Sequence, residues 1–362
     1  MAAECDAHHS TVSRFPIESE YLPDTRMSKP GWGRETVMIA LNRRQFLLST
    51  ACALFGPQMS ATAQTPATAQ QGHRSRRFAQ ETGSILWVTW SSDGKRIAAG
   101  GVEDTIWVWD AGTGRLERQL TPMCSEVSMF SFSPDSKWLA VGGKRETRLY
   151  DLSTGKSDNG VLDGFTDGVP LMAFSPDGKR IAGADEDGKL IFFDNMGLHG
   201  LSASEQGGSH AIAWSPDSRQ VVIGDITKLR VFDASTGKLV WRWDDTPNTV
   251  KSLAWSKDGT KIAFGCANNA IYLLDAVKGK QIRKFEGHHE MVHSIAFAAE
   301  DTRLLSADGK VGGVWEIATG KNLAFMTVGE MDGNTTSVAF SPDGKQCAVG
   351  GYTAHITVYD LP

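Results

Sequence analysis

A short polar element, Ser-x-Asp-Gly or Ser-x-Asp-Ser, recurs every 40 to 43 residues along most of this chain. Its copies begin at Ser91, Ser133, Ser175, Ser215, Ser256 and Ser341, and a degenerate copy, AAED, begins at Ala298. A second element keeps the same period: an apolar residue and an acid followed by a glycine-containing turn, as in VWDAGTG at 108–114. A fixed period of this length is typical of repeat architectures and constrains the fold more than any other feature.

Between the two elements lie short runs in which apolar residues alternate, such as KRIAAGG at 95–101 and TIWVWD at 105–110. Alternation with a period of two, bounded by Gly, Asp and Pro, predicts β-strands, about four in each unit. Such a sheet buries too little surface alone and must stack on its neighbours. Seven units of about 40–45 residues need about 280–315 residues. The 299 residues of 64–362 match that length and leave none for a second domain.

The repeat resembles that of the WD40-repeat β-propellers over residues 76–362, with Trp109-Asp110 as the literal Trp-Asp pair and Gly287-His288 as the literal Gly-His pair. The resemblance implies an all-β, seven-bladed propeller. It also implies a hydrogen-bonded tetrad inside a blade, for which only the sixth unit has a near match. The four side chains of that set are His288, Ser306, Asp308 and Trp315. Asp308 stands one residue farther from the Trp than is usual in the family.

The last unit stops after its third strand, at ITVYDLP. The segment Arg76–Glu81, RRFAQE, precedes the first strand of the first unit and has no other role. We therefore expect it to supply the fourth strand of the last blade. Such closure removes an open sheet edge, which would otherwise pair with other chains.

The segment that begins at Met38 has the layout of a secretory signal. Arg43 and Arg44 give a positive region, Phe46–Phe55 is a compact apolar run, and cleavage is expected after Ala63. The paired arginines resemble those of bacterial twin-arginine (Tat) signals. The run is about half the ~20 residues that span a bilayer, so we expect no permanent membrane insertion. This interpretation predicts export to the periplasm or secretion.

These observations divide the chain into four parts. Residues 1–37 are interpreted as a mis-assigned N-terminal extension or a disordered segment, 38–63 as the Tat-type signal peptide, 64–75 as a linker and 76–362 as the propeller. The linker, rich in Gln, Thr, Ala and Pro, is typical of a flexible tether.

Composition and motifs argue against several functional classes. The net charge of −5 is unlike that of a nucleic-acid binder, which carries a basic face. The three cysteines beyond residue 63 are scattered and form neither a disulfide framework nor a Cys-x-x-Cys zinc pair. There is no Gly-rich phosphate loop, Gly-x-Ser-x-Gly or His-Glu-x-x-His motif. We therefore expect no enzyme activity, no cofactor and no metal. A metal shared by His210 and His293, which hold the same place two units apart, is disfavoured.

In a propeller of this kind, one face carries the loops between blades and those between second and third strands. We call it the loop face. The opposite face, here called the turn face, carries the two repeated turns. Acidic side chains far outnumber basic ones on the loop face, which would attract a partner with a basic surface. The predicted partner-binding residues are Glu103, Asp104, Arg145, Asp185, Glu186, Asp187, Asp225, Asp308 and Tyr352. The alternative is that these aspartates merely suit tight turns.

The leading hypothesis is a non-catalytic, monomeric scaffold for protein–protein interaction, exported and docking its partner on the acidic loop face. Two alternatives remain open. The first is an exported propeller enzyme or cofactor-binding protein, and the second is a sensor of a small ligand or peptide at the channel mouth.

Overall fold

The repeats fold into seven four-stranded antiparallel sheets. The computed structural model describes residues 75–79, 84–101, 105–122, 127, 129–143, 147–161, 165, 171–185, 187–194, 200–204, 208–298, 300–327, 335–352 and 354–361. The signal peptide with Arg43, Arg44 and Ala63, the extension 1–37, and nearly all of the linker fall outside these ranges. No helix long and apolar enough to cross a membrane occurs in the described ranges.

The described residues form 28 strands and, as expected from the alternating pattern, no helix. In chain order the strands are β1 Ser75–Ala79, β2 Ile85–Trp90, β3 Arg96–Gly101, β4 Ile106–Asp110, β5 Leu116–Leu120, β6 Met129–Phe132, β7 Trp138–Gly142, β8 Thr147–Asp151, β9 Ser157–Val161, β10 Leu171–Phe174, β11 Arg180–Ala184, β12 Lys189–Asp194, β13 Gly200–Ser204, β14 Ala211–Trp214, β15 Gln220–Gly224, β16 Leu229–Asp233, β17 Leu239–Trp243, β18 Val250–Trp255, β19 Lys261–Cys266, β20 Ile271–Asp275, β21 Lys280–Phe285, β22 Ser294–Phe297, β23 Arg303–Ala307, β24 Val311–Glu316, β25 Asn322–Thr327, β26 Thr335–Phe340, β27 Gln346–Gly351 and β28 His355–Asp360.

Each blade has four consecutive strands, except the last. Blades 1 to 6 are β2–β5, β6–β9, β10–β13, β14–β17, β18–β21 and β22–β25, and blade 7 is β26–β28 with β1. The first strands of neighbouring blades contact one another, so they surround the central axis and the fourth strands lie on the circumference. The sequence prediction of a seven-bladed propeller is confirmed.

Closure by an N-terminal strand is confirmed as well. Strand β1 pairs antiparallel with β28, with Ser75 opposite Tyr359 and Ala79 opposite His355. Phe78, the apolar residue of the predicted RRFAQE segment, is buried between blades 7 and 1 beside Trp109. Two distant parts of the chain therefore share one sheet, and β1 covers the edge of β28 that would otherwise be unpaired.

The hydrophobic core is divided among the joints between blades. Seven clusters of buried residues occur, and each combines side chains of two adjacent blades. In the cluster between blades 5 and 6, for example, Leu273 and Phe285 of blade 5 pack with Ile295 and Trp315 of blade 6. Among the described residues no such cluster is confined to one blade, which is why the repeats must stack to be stable.

Long side chains on the fourth strands add hydrogen bonds between blades. Arg118 Nε donates to Leu152 O at 3.1 Å, and Arg283 Nη1 donates to Thr319 O at 3.0 Å. Trp241 Nε1 donates in the same way to Ala276 O at 2.9 Å. Each acceptor is a backbone carbonyl in the third turn of the following blade. The circumference is therefore fastened by polar contacts outside the apolar core.

The repeated Ser-x-Asp turn alternates between two forms around the ring. Its fourth residue has a positive φ in every blade, as in the left-handed region. In blades 2, 4 and 6 a polar side chain occupies it, at Ser136, Ser218 and Asp301. These side chains accept backbone N–H bonds from the turn of the preceding blade: Ser136 from Asp93 at 3.2 Å, and Asp301 from Asp258 at 2.7 Å. In blades 1, 3, 5 and 7 the fourth residue is glycine: Gly94, Gly178, Gly259 and Gly344.

Candidate functional site

The four predicted tetrad side chains meet in the interior of blade 6. His288 Nδ1 donates to Asp308 Oδ2 at 3.0 Å, and its other ring nitrogen, Nε2, lies 2.6 Å from Ser306 Oγ. Trp315 Nε1 donates to the same hydroxyl oxygen at 2.7 Å. All four side chains are buried. These hydrogen bonds join the loop between β21 and β22, which carries His288, to strands β23 and β24.

A glycine makes this approach possible. Gly287 has a φ of 138°, and a Cβ atom placed on it would lie 3.1 Å from Trp315 Cη2. The His288 ring also lies 5.5 Å from that of Trp315, centroid to centroid. The Gly-His pair that the sequence displays is therefore required by packing as well as by hydrogen bonding.

A Ser-His-Asp set at these distances invites comparison with a hydrolytic triad, but its surroundings argue against that role. Ser306 is buried, and its hydroxyl oxygen is engaged by both His288 and Trp315. A nucleophile needs a position about 3 Å away where a substrate atom can sit. The packed rings of Trp315 and His288 take up the space around this hydroxyl. The arrangement is built for cohesion of the blade.

Asp308 holds more hydrogen bonds than the tetrad requires. Its Oδ1 accepts from Lys310 N at 2.7 Å and Val311 N at 2.6 Å, while Oδ2 also accepts from His289 N at 3.1 Å. Burial alone would raise the pKa of Asp308, but the bonds from His288 and from these amides outweigh it and hold the pKa well below its ordinary value.

This pKa predicts a pH dependence of stability. Because the pKa of Asp308 is lower in the folded than in the unfolded state, its stabilising contribution is complete above about pH 4 and is lost as the pH falls below that. We expect Asp308→Asn to lower the free energy of unfolding at pH 7 by about 2 kcal/mol, and to flatten its decline between pH 5 and pH 2. Urea unfolding across that range measures both effects. An unchanged slope would show that Asp308 titrates normally.

In blade 4 a buried ion pair takes the place of the tetrad. Asp225 occupies the position of Asp308, and its Oδ2 lies 3.3 Å from Nη2 of Arg230 in β16. The Arg230 and Asp225 side chains are only 0% and 5% exposed. Asp225 Oδ1 accepts from the amides of Thr227 and Lys228 at 2.6 and 2.7 Å. The sequence analysis did not identify Arg230, although a single Arg at an inward position of the strand LRVFD could have indicated a buried ion pair.

Asp185 in blade 3 is buried in the same way. Its Oδ1 accepts from the amides of Asp187 and Lys189 at 3.1 and 2.8 Å, so the carboxylate closes the loop between β11 and β12. The prediction that Asp185, Asp225 and Asp308 contact a partner does not fit their burial and is corrected here. The first acid of this loop turns inward because the loop amides need an acceptor.

The rest of the predicted loop-face set divides into exposed and undescribed residues. Asp187 is exposed, and Tyr352 is 44% exposed in the loop between β27 and β28. Glu103, Asp104, Arg145 and Glu186 lie outside the described residues. Ile226, which the sequence analysis did not single out, is 58% exposed in the loop between β15 and β16 of blade 4.

Other acids of the loop face are partly neutralised by their neighbours. Glu290 lies 2.6 Å from Lys310 Nζ, and Asp244 lies 2.9 Å from Arg242 Nε. Asp245 is exposed beside Asp244. The described part of this face therefore presents scattered carboxylates, some of them in ion pairs, together with the exposed side chains of Ile226 and Tyr352. The net negative charge of this part of the loop face is therefore smaller than that of an unbroken acidic rim.

At the channel end of the first strands, His210 and His293 take equivalent places. The His210 amide donates to Gly224 O at 2.8 Å, and the His293 amide donates to Ala307 O at 2.9 Å. Burial, followed by the charge of Lys251, lowers the pKa of His293 below its ordinary value. Among the described residues no three His, Cys, Asp or Glu side chains are grouped closely enough to hold a metal.

Comparison with known families supports the repeat assignment. The family "WD domain, G-beta repeat" matches residues 71–110, 157–194 and 323–360. The family "Anaphase-promoting complex subunit 4 WD40 domain" matches residues 236–300. Together these segments include strands of all seven blades. Residues 71–110 include the closing strand and the first three strands of blade 1, and 323–360 join the end of blade 6 to blade 7.

Three curated relatives are similar over most of the propeller. WD repeat-containing protein 1 of Xenopus tropicalis is 26% identical over 276 residues, which are 67% of this chain and 42% of that protein. Serine-threonine kinase receptor-associated protein of Gallus gallus is 24% identical over 251 residues, 67% of this chain and 70% of its own length. Telomerase protein component 1 of Mus musculus is 25% identical over 284 residues, which are 10% of that protein.

Proposed function

Since the chain belongs to the WD40-repeat family, we propose that it is a non-catalytic scaffold that binds a protein partner on its loop face. One observation supports this proposal. The buried polar side chains that could resemble a catalytic set, in blades 3, 4 and 6, are engaged in holding loops and strands together. One relative, Serine-threonine kinase receptor-associated protein, is named for its association with another protein. This likeness supports binding to proteins, without indicating which partner.

The exposed loop-face residues indicate how a partner would bind. Tyr352, Ile226 and Asp187 project from loops of blades 7, 4 and 3 on one face. Interfaces favour Tyr at their energetic centres, with charged groups steering the approach. A partner surface with basic residues around an apolar centre would complement them. The sequence predicts Glu103, Asp104, Arg145 and Glu186 for the same surface, and these four residues lie outside the described ranges.

The test is capture of partners by the full chain under native expression, quantified by mass spectrometry. Asp187→Lys combined with Tyr352→Ala should reduce recovery of at least one protein more than tenfold. Lys137→Glu, at an exposed residue of the turn face, is the matched control and should retain it. The same set of captured proteins with all three chains would contradict binding on the loop face.

We also propose export of the mature propeller through the Tat pathway. The support is the sequence alone: Arg43 and Arg44 before the apolar run Phe46–Phe55 and the small residues ending at Ala63. Arg43→Lys with Arg44→Lys should keep the protein in the cytoplasm, as shown by fractionation and immunoblotting. Processing after Ala63 is checked by N-terminal sequencing of the exported form. Unimpaired export of the double variant would contradict a twin-arginine signal.

A further inference from the structure

The outermost strand of blade 6, β25, has no charged residue, with the sequence NLAFMT. Edge strands of native sheets are commonly protected by charged side chains, because their unpaired backbone groups can pair with another chain. Most of the other outermost strands carry such charges; β13, a small polar strand of sequence GLSAS, is the exception. The charged residues of these strands are Arg76 and Arg77 in β1, Glu117 and Arg118 in β5, Asp158 in β9, Arg242 in β17, and Lys280, Arg283 and Lys284 in β21.

The exposed surface of β25 is apolar. Leu323 is 49% exposed and Phe325 is 47% exposed. One side of the Phe325 ring packs edge-on against Trp315, with centroids 5.7 Å apart, and lies 6.1 Å from the His288 ring. The tetrad thus fixes the position of Phe325 while leaving half of it in contact with solvent. A rigid apolar group beside an unpaired backbone is a preformed binding feature.

Basic residues occur in the outermost strands of the two neighbouring blades and directly before β25. Lys280 and Arg283 lie in β21 of blade 5, Lys321 directly precedes β25, and Arg77 lies in β1 of blade 7. Arg283 is held toward blade 6 by its bonds to Ala318 O at 2.9 Å and Thr319 O at 3.0 Å. Within the described ranges, none of these four cations pairs with a carboxylate. Such a concentration of basic residues near the exposed apolar side chains of β25 is unusual on a chain whose net charge is −5.

We propose that β25 binds an extended acidic segment of a partner protein, which adds to blade 6 as a fifth strand. The backbone of the segment pairs with the outer edge of β25, to which no described strand is bonded. Its central apolar side chains pack on Leu323 and Phe325, and its acidic ends lie near Lys321, Arg283 and Arg77. Strand addition of this kind takes affinity from backbone hydrogen bonds and specificity from side chains.

The chemistry of the edge favours a polypeptide over a lipid surface. Unpaired backbone N–H and C=O groups alternate along a strand edge, and only another backbone matches their spacing. An anionic membrane would engage the cations and leave those groups unsatisfied. This surface lies on the circumference, apart from the loop face, so one scaffold could hold two partners at once.

The test uses the full chain and a fluorescein-labelled peptide with a Val- and Thr-rich centre and Glu residues at both ends. Binding is followed by fluorescence anisotropy at low ionic strength, and protection of the β25 amides by hydrogen exchange. Leu323→Lys should weaken binding at least tenfold. Val240→Lys is the matched control, because Val240 is 47% exposed in β17 and both residues lie at the irregularity between the third and fourth strands. It should change binding less than twofold.

Three further probes distinguish the alternatives. N-methylation of alternate amides in the peptide should abolish binding, and replacement of its Glu residues by Lys should weaken it strongly. Asp187→Lys with Tyr352→Ala should leave it unchanged, which separates this surface from the loop face. The proposal is overturned if the acidic peptide does not bind, if the N-methylated peptide binds equally, or if Val240→Lys matches Leu323→Lys. Binding to phosphatidylglycerol vesicles in place of the peptide would also overturn it.

Discussion

A Phe78→Ala variant should have a free energy of unfolding about 3–5 kcal/mol below that of the unaltered chain. Phe78 is the buried residue of the closing strand, with its ring centroid 6.5 Å from that of Trp109. Its removal leaves a cavity at the joint of blades 7 and 1. For a domain of this size the melting temperature should fall by roughly 10 °C, measured by calorimetry.

Arg77→Ala is the matched control, because Arg77 is the exposed neighbour on the same strand. It should change the melting temperature little. Deleting residues 64–81 removes the whole closing strand and should lower the melting temperature more than Phe78→Ala does. An unchanged value after the deletion would mean that the ring does not depend on β1.

Arg230→Met should lower the free energy of unfolding by about 3–5 kcal/mol, because it leaves the Asp225 carboxylate buried without its cation. Combining it with Asp225→Asn removes both charges and should recover much of that loss. A double-mutant cycle by urea unfolding gives the coupling free energy between the two side chains.

The exposed pair of Arg242 and Asp244 provides the comparison for this cycle. Its atoms are closer, at 2.9 Å, but both side chains are about half exposed. Arg242→Met should cost less than about 1 kcal/mol, since surface ion pairs contribute little. Equal losses for Arg230→Met and Arg242→Met would contradict the role of burial.

The repeat was sufficient to predict the architecture, because a period of 40 to 43 residues with strand alternation has few solutions. The closing strand also followed, since ITVYDLP ends after a third strand and RRFAQE was unassigned. The extent of the tetrad could be predicted only through family resemblance. Its geometry depends on the contact between Gly287, in the loop before β22, and Trp315 in β24, which spacing along the chain does not reveal.

The loop face was the least predictable part. Counting acids by loop does not show which carboxylates turn inward, and Asp185, Asp225 and Asp308 all bond to amides of their own loops. Sequence counting therefore overestimated the exposed negative charge. Arg230 was missed for the converse reason: a buried cation is recognisable only when its partner is known to be near.

The two forms of the Ser-x-Asp turn cannot alternate all the way around this ring. Strict alternation needs an even number of blades, and this ring has seven. Blades 1 and 2, 3 and 4, and 5 and 6 form bonded pairs through Ser136, Ser218 and Asp301. Blade 7 is the odd member, because Gly344 and Gly94 have no side chain to offer such a bond on either side. It is also the blade assembled from both ends of the propeller. Among the described turns, that of blade 7 is therefore the one without a side-chain bond to a neighbouring turn, and its joint with blade 1 depends instead on bonds between strands, such as Val88 N to Ser337 Oγ and Trp90 Nε1 to Ala339 O, both at 3.1 Å.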